Sequence, residues 1–183
     1  MLRCSVYIAT SLDGFIARKN GALDWLPGSD GESSDDEDYG FHSFFASIDT
    51  LVMGRNTYEQ ACAFKEWPYH GKRVLVLSHH FPTQPQRLAE SVEGTSMAPQ
   101  ALVQHLASCG AKHLYIDGGK TIQSFLRERL IQEITITQIP ILIGGGLLLF
   151  GPLTQDIPLA HVSTQAFASG FVQSKYTVLN ATH

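Results

Sequence analysis

Disulfide potential is the first thing this sequence lacks. Its 183 residues hold three cysteines, Cys4, Cys62 and Cys109, an odd number without framework spacing. A disulfide scaffold is excluded, and reduced thiols in a cytoplasmic protein are expected. Positive charge is short as well: 13 Lys and Arg against 17 Asp and Glu leave a net charge of -4, with no basic stripe. That balance argues against a nucleic-acid binder. No apolar run reaches membrane-spanning length, since Ile139–Phe150 is interrupted by Pro140 and by Gly144–Gly146, so no membrane partner is expected. The N-terminus enters a strand pattern without a charged-then-apolar leader, and no signal segment is expected. The eight histidines show no metal spacing. His105 and Cys109 are two helix-spaced ligands without a third, so no metal is expected. Two phosphate motifs are missing too. No Gly-x-Gly-x-x-Gly follows a strand, and Gly119-Lys120-Thr121 mimics a P-loop tail whose first glycine is replaced by Leu114.

What is present reads as a folded domain. The hydrophobic share is 44% and the charged share 16%, enough for one globular domain spanning 1–183. Arg3 to Thr10 reads as a first strand. Asp30 to Asp38 is a solvated acidic loop, with Ser33, Ser34 or Asp35 as a helix cap. Tyr39 to Ile48 carries Phe41, Phe44, Phe45 and Ile48 at helical spacing. Leu51–Met53 is a short buried strand, and Gly54 to Glu59 opens a second helix. Strands at Arg73–Ser78 and Ser91–Thr95 and a helix over Pro99–Ser108 follow. His113–Ile116 is a strand, and Thr121–Arg129 a helix with Ile122, Phe125, Leu126 and Leu130 at helical spacing. Glu133–Ile143 is a strand broken by Pro140, and Leu147–Phe150 a short apolar piece. Ala160–Phe167 and Phe171–Leu179 form an antiparallel hairpin. Alternating strands and helices closed by a hairpin imply a three-layer α/β domain, with a mostly parallel sheet and an antiparallel edge.

Three strand ends share a design. One ends in Gly54-Arg55-Asn56-Thr57, one in Ser78-His79 and one in Asp117-Gly118-Gly119-Lys120-Thr121. Ligands of open α/β sheets sit beyond the carboxyl ends of strands. Two of these ends run into helix N-termini, where backbone N–H groups, a hydroxyl and a cation suit a ligand with several phosphates. Taken alone, Gly118-Gly119 is equally a tight turn. Three such ends on one sheet edge point to a dinucleotide.

Four blocks carry a resemblance: Ala9 to Ala17, Asp49 to Glu59, Leu114 to Phe125, and Gln138 to Gly146. In this order they resemble dihydrofolate reductase-like proteins, specifically the stand-alone relatives of the RibD C-terminal reductase domain. The resemblance spans nearly the whole chain. It implies a dihydrofolate reductase-like fold, a homodimer, and an NADPH-dependent reductase acting on a small pterin- or pyrimidine-like heterocycle. It places Gly54, Arg55, Asn56 and Thr57 at the cofactor phosphates, and Ser78 and His79 near the adenosine ribose. Asp117, Gly118, Gly119, Lys120, Thr121 and Ile122 fall around the pyrophosphate, often with a cis bond between the two glycines. Ala9 and Ile16 border the nicotinamide, although Ile16 reads equally as core. Many relatives carry Arg after the serine at Ser78, as a partner for the 2′-phosphate. His79 and His80 stand there instead, and Lys120 is the substitute cation.

Hydride transfer also needs a proton. The catalytic candidates are Asp13, on the nicotinamide side, and Asp38, where dihydrofolate reductases keep the acid that grips the pterin. Each has a plainer reading: Asp13 as a turn residue before Gly14, and Asp38 as a helix N-terminal acid. Trp25, Phe44 and Thr137 are the substrate-binding candidates, with Thr137 expected to bond Asp38. Two other functions stay open. One is the riboflavin-pathway reductase acting on the phosphoribosylamino-uracil. Against it, Gly54 to Glu59 occupies the place of that enzyme's sugar-phosphate segment, and the deaminase signature is absent. The other is a nucleotide-binding protein without catalysis.

Overall fold

The computed structural model describes residues 2–27, 37–64, 66–80, 85, 88 and 90–179. The cap expected at Ser33, Ser34 or Asp35 lies outside the described residues.

Short β-branched and apolar runs form ten strands among the described residues. They are β1 (Arg3–Ser11), β2 (Phe15–Ala17), β3 (Thr50–Gly54), β4 (Arg73–Leu77), β5 (Val92–Thr95), β6 (His113–Asp117), β7 (Glu133–Ile139), β8 (Leu147–Leu148), β9 (Leu159–Ala166) and β10 (Val172–Val178). The helices are α1 (Phe41–Ser47), α2 (Arg55–Cys62), α3 (Pro99–Ser108) and α4 (Gly119–Arg127). Eight strands make one sheet in the order β5-β4-β3-β6-β1-β7-β10-β9. The pairings from β5 through β7 are parallel, and β10 is antiparallel to both β7 and β9. The expected three-layer, mostly parallel sheet with an antiparallel C-terminal hairpin is therefore the observed fold. None of the described helices is long and apolar enough to cross a membrane.

The two sheet faces are separate cores. Cys4, Val6, Val52, Leu114 and Ile116 face α3 and α4, meeting Leu102, Leu106, Ile122, Phe125 and Leu126. Leu51, Met53, Val74, Val76 and Tyr115 face the other way, onto Tyr58 and Ala61 of α2 and the Phe41/Phe44/Phe45 face of α1. The period-2 alternation of strand side chains divides the sheet in this way. Several boundaries differ from expectation; β7 ends at Ile139, short of the expected Ile143, because Pro140 has no N–H to give the ladder. Helix α4 starts at Gly119, two residues early, because Gly118 turns the chain at φ 87° and lets the helix begin immediately. Strand β2 escapes a reading by pattern because it is three residues long. It exists through antiparallel pairing with β8, as Phe15 opposite Leu148 and Ala17 opposite Leu147.

Candidate cofactor cleft

Strands β3 and β6 are neighbours, with Met53 opposite Asp117 at their carboxyl ends. The helices that follow them leave to opposite faces: α2 packs on one core and α4 on the other. Such a switch point opens a crevice at the sheet edge. Here it is a cleft of about 1360 Å³, walled by the first turns of α2 and α4, the 16–26 loop and the 147–152 segment.

Neither helix start carries a side-chain cap. Their first N–H groups and the positive end of each helix dipole therefore remain available to an anion. The starts interlock. A Cβ on Gly118 would overlap Thr57 Oγ1, and one on Gly54 would stand 3.0 Å from Thr121 Oγ1. Each threonine thus seats against the glycine that opens the other helix. A Cβ on Gly119 would lie 2.8 Å from Ile16 Cδ1 and 3.2 Å from the Leu148 carbonyl oxygen. This cradle of bare backbone fits a phosphate-bearing cofactor, because any added side chain would fill it. No described peptide bond is cis, so the Gly118–Gly119 bond is trans, unlike the expectation.

Of the residues expected around the cofactor, Ala9, Ile16, Gly54, Arg55, Asn56, Thr57, Asp117, Gly118, Gly119, Lys120 and Thr121 line this cleft. The other three do not. Ile122 is fully buried in the core and anchors α4 from below. Ser78 Oγ donates to the His80 carbonyl oxygen at 2.8 Å and accepts from His80 N at 3.1 Å, so its hydroxyl is spent on its own turn. His79 is exposed beside it. Two cations reach the cleft from the helix starts. Arg55 Nε lies 3.5 Å from Glu59 Oε1 on the next turn, and Lys120 has no partner among the described residues.

The two expected acids have other work. Asp38 accepts from the backbone N–H groups of Gly40 and His42, each at 2.9 Å, and from His42 Nδ1 at 2.7 Å. It caps α1, and the Gly40 N–H above all holds its carboxyl below the usual carboxylate range. Asp13 accepts from Ser11 Oγ at 2.6 Å, Gly144 N at 2.8 Å and Ile143 N at 3.3 Å. The Ser11 hydroxyl leads in holding its carboxyl low. Neither lines the cleft.

Asp117 does line it, and its carboxyl is pushed up to about 6 by burial. The Gly118 N–H at 2.8 Å and the Tyr69 hydroxyl at 3.3 Å oppose that rise. Tyr69 also borders the cleft, and burial followed by the nearby Asp117 charge drives its phenol well above the usual range. The sequence places Asp117 with the cofactor residues. Its second role rests on burial and on the Tyr69 hydroxyl, which only the fold supplies.

The substrate candidates are dispersed through the face that carries α1. Trp25 is buried with Ile139 and Phe171, its Nε1 without a partner among the described residues. Phe44 stacks on Tyr7 at 4.7 Å. Thr137 Oγ1 accepts from Gln173 Nε2 at 2.9 Å, and not from Asp38 as expected, because Asp38 is turned toward α1. Gln173 also reaches the Tyr7 hydroxyl and the Tyr39 carbonyl oxygen, each at 2.9 Å. It ties Thr137 to the Tyr7–Phe44 stack. Nothing but an inward polar position in β10 marks it in the sequence.

Fold and cleft together define a dihydrofolate reductase-like α/β domain. Within that class the chain belongs to the RibD C-terminal domain family, whose profile matches residues 5–173. It is 33% identical over 174 residues to the uncharacterized protein YwjB of Bacillus subtilis, covering 93% of this chain and 95% of that one. A crystal structure from Shewanella sp. PV-4, provisionally named for riboflavin biosynthesis, superposes with a TM-score of 0.89 at 39% identity, covering 97% and 99% of the two chains. The two-function deaminase and 5-amino-6-(5-phosphoribosylamino)uracil reductase of Thermotoga maritima shares the fold, with a TM-score of 0.70 at 16% identity. This chain covers 56% of that protein, with 97% of its own length matched.

Proposed function

We propose that this protein is an NADPH-dependent reductase that transfers hydride to a small heterocycle of the pterin or pyrimidine kind. The observation that carries the reading is the pair of interlocked, uncapped helix starts at Gly54 and Gly118, with a protonatable carboxyl, Asp117, on the same cleft wall. The cofactor, when bound, supplies the hydride. Backbone N–H groups of α2 and α4, Thr57 and Thr121 hold its phosphates, and Arg55 and Lys120 neutralise them. Lys120 stands in for the arginine that relatives place at the 2′-phosphate. Ala9 and Ile16 form the apolar wall for the nicotinamide. Asp117, its carboxyl raised to about 6, is protonated on the acid side of that value and gives its proton to the reduced ring, while Tyr69 orients that carboxyl and keeps its own proton.

A second reading is the riboflavin-pathway reduction of the phosphoribosylamino-uracil, favoured by the 39% identity to the Shewanella protein. We also assign the outer strand β9, with exposed Leu159 and Val162, to a second copy of the chain in a homodimer. Analytical ultracentrifugation checks that pairing. NADPH and NADH oxidation against pterins, quinones, pyrimidines and the phosphoribosylamino-uracil tests the function. Turnover with NADPH on an unphosphorylated ring supports the first reading, and turnover confined to the sugar phosphate supports the second. Tight NADPH binding without turnover on any compound contradicts both and leaves a nucleotide-binding protein.

A further inference from the structure

Asp13 stands outside the cleft lining, and two of its three bonds run to one segment. Two of its donors, Ile143 N and Gly144 N, begin the segment from 143 to 152, whose Leu147, Leu148 and Phe150 line the cleft. The third, Ser11 Oγ, fixes the carboxylate from below and also accepts from Phe15 N at 3.0 Å. Asp13 thus joins the end of β1 to the start of that segment.

The rest of the segment is held at its far end. Leu149 N donates to the Gly14 carbonyl oxygen at 3.1 Å, and the Leu149 side chain is 1% exposed in the core. Gln123 Nε2 of α4 donates to the carbonyl oxygens of Leu148 at 3.1 Å and Leu149 at 3.2 Å. Gly146 lies so close beneath the Ala17 carbonyl that a Cβ there would overlap it. Beside these anchors Leu147, Leu148 and Phe150 line the cleft and are about half exposed. The Leu148 carbonyl and Ile16 stand over Gly119, the first residue of α4, so close that a Cβ there would meet them at 3.2 and 2.8 Å. The spacing between this segment and the helix start therefore depends on where Asp13 holds residues 143 and 144.

We propose that Asp13 is a positioning residue: its carboxylate fixes the 143–152 strap, and through Leu148 and Ile16 the strap sets the width of the cofactor cleft at Gly119. The assignment rests on the reading of the cleft as a dinucleotide site. Two backbone N–H groups and a hydroxyl converge on Asp13, so an acceptor with two oxygens is required there. Asparagine at this position would set an amide N–H against a backbone N–H and strand it.

The test measures three things on Asp13→Asn and on Gln123→Ala, which loosens the other end of the strap. They are hydrogen exchange at Ile143, Gly144 and Leu149, the NADPH dissociation constant by cofactor fluorescence, and the pH profile of kcat. Asp13→Asn is expected to speed exchange at Ile143 and Gly144 about tenfold and to weaken NADPH by a similar factor, the scale of a lost charge-assisted bond. The pH midpoint of kcat stays where it was. Gln123→Ala moves the Leu149 amide and the affinity in the same direction by less. Unchanged exchange with unchanged affinity overturns the proposal. So does a lower kcat at unchanged affinity with loss of the pH transition, since Asp13 would then be the acid itself. Wild-type protein that binds no NADPH also overturns it, by contradicting the cleft reading. That failure is distinct from bound NADPH whose affinity ignores Asp13.

Discussion

Strand β6 carries a titratable residue at each end, and the two ends are built on opposite principles. At the amino end His113 is buried. Its Nε2 meets Ser5 Oγ at 2.8 Å, and its Nδ1 meets Arg3 at 3.0 Å and Ser47 Oγ at 3.2 Å. Its backbone N–H donates to Asp49 at 2.9 Å. At the carboxyl end, four residues on, Asp117 is half-buried with two donors and a side turned to the cleft. Burial pushes both toward their neutral forms, His113 downward and Asp117 up to about 6. At His113 every ring nitrogen has a partner, so the group holds strands β1 and β6 to α1. At Asp117 the partners leave a face for a ligand. Burial with complete hydrogen bonding builds structure, and burial beside a cleft makes a proton carrier.

The largest effect that would break this contrast is on the rate. Asp117→Asn is expected to lower kcat by about 100- to 10,000-fold, the range for a general acid. Its NADPH affinity stays near wild type in a fluorescence titration. The wild-type rate is expected to fall as pH rises through about 6, since the protonated carboxyl is the proposed working form, and the variant should lack that limb. Next is Arg55→Ala, which should weaken NADPH by ~1.5–3 kcal/mol for a charged hydrogen bond, read by calorimetry. An unchanged constant removes Arg55 from the site.

Third is a stability comparison between two glycines with positive φ. Gly118→Ala combines backbone strain of ~1–3 kcal/mol with overlap on Thr57, while Gly71→Ala carries strain alone, having nothing within 4 Å. Calorimetric Tm values should drop further for Gly118→Ala, and equal drops would deny the interlock. Fourth, the two ends of β6 should titrate in opposite senses. A depressed His113 binds its proton less tightly folded than unfolded, so stability is lost as pH falls through about 6.5. A raised Asp117 costs stability as pH rises from the ordinary carboxylate range to about 6. Denaturant melts of His113→Gln should lose the first slope and keep the second. The smallest expected effect is that of Asp38→Asn on kcat, which should be negligible, since that carboxylate caps α1.

The fold was legible because long elements announce themselves through period. The Leu102/Leu106 and Ile122/Phe125/Leu126 spacings and the Leu114–Ile116 run gave α3, α4 and β6 within two residues. Strand β2 was not legible: three residues carry no period, and its partner β8 is about 130 residues away. At the site, the glycines and the Arg55 and Lys120 cations were legible as strand-end chemistry. The acid was not, because a sequence places carboxylates along a chain without saying which one the fold deprives of water. Asp13 and Asp38 looked suitable by position, but neighbouring N–H groups claim both. Gln173 had no local signature, since its role exists only where β10 lies beside β7.

Asp117 is the group on which the proposed chemistry depends, and its titration can be read without knowing the substrate. Carbon-13 NMR of aspartate-labelled protein, with Asp117→Asn to assign the carboxyl signal, follows that group from pH 3 to pH 8. A midpoint near 6, as burial in the cleft wall requires, is the predicted result. A midpoint in the ordinary aspartate range, about 4, would contradict it and return Asp117 to the ranks of surface carboxylates.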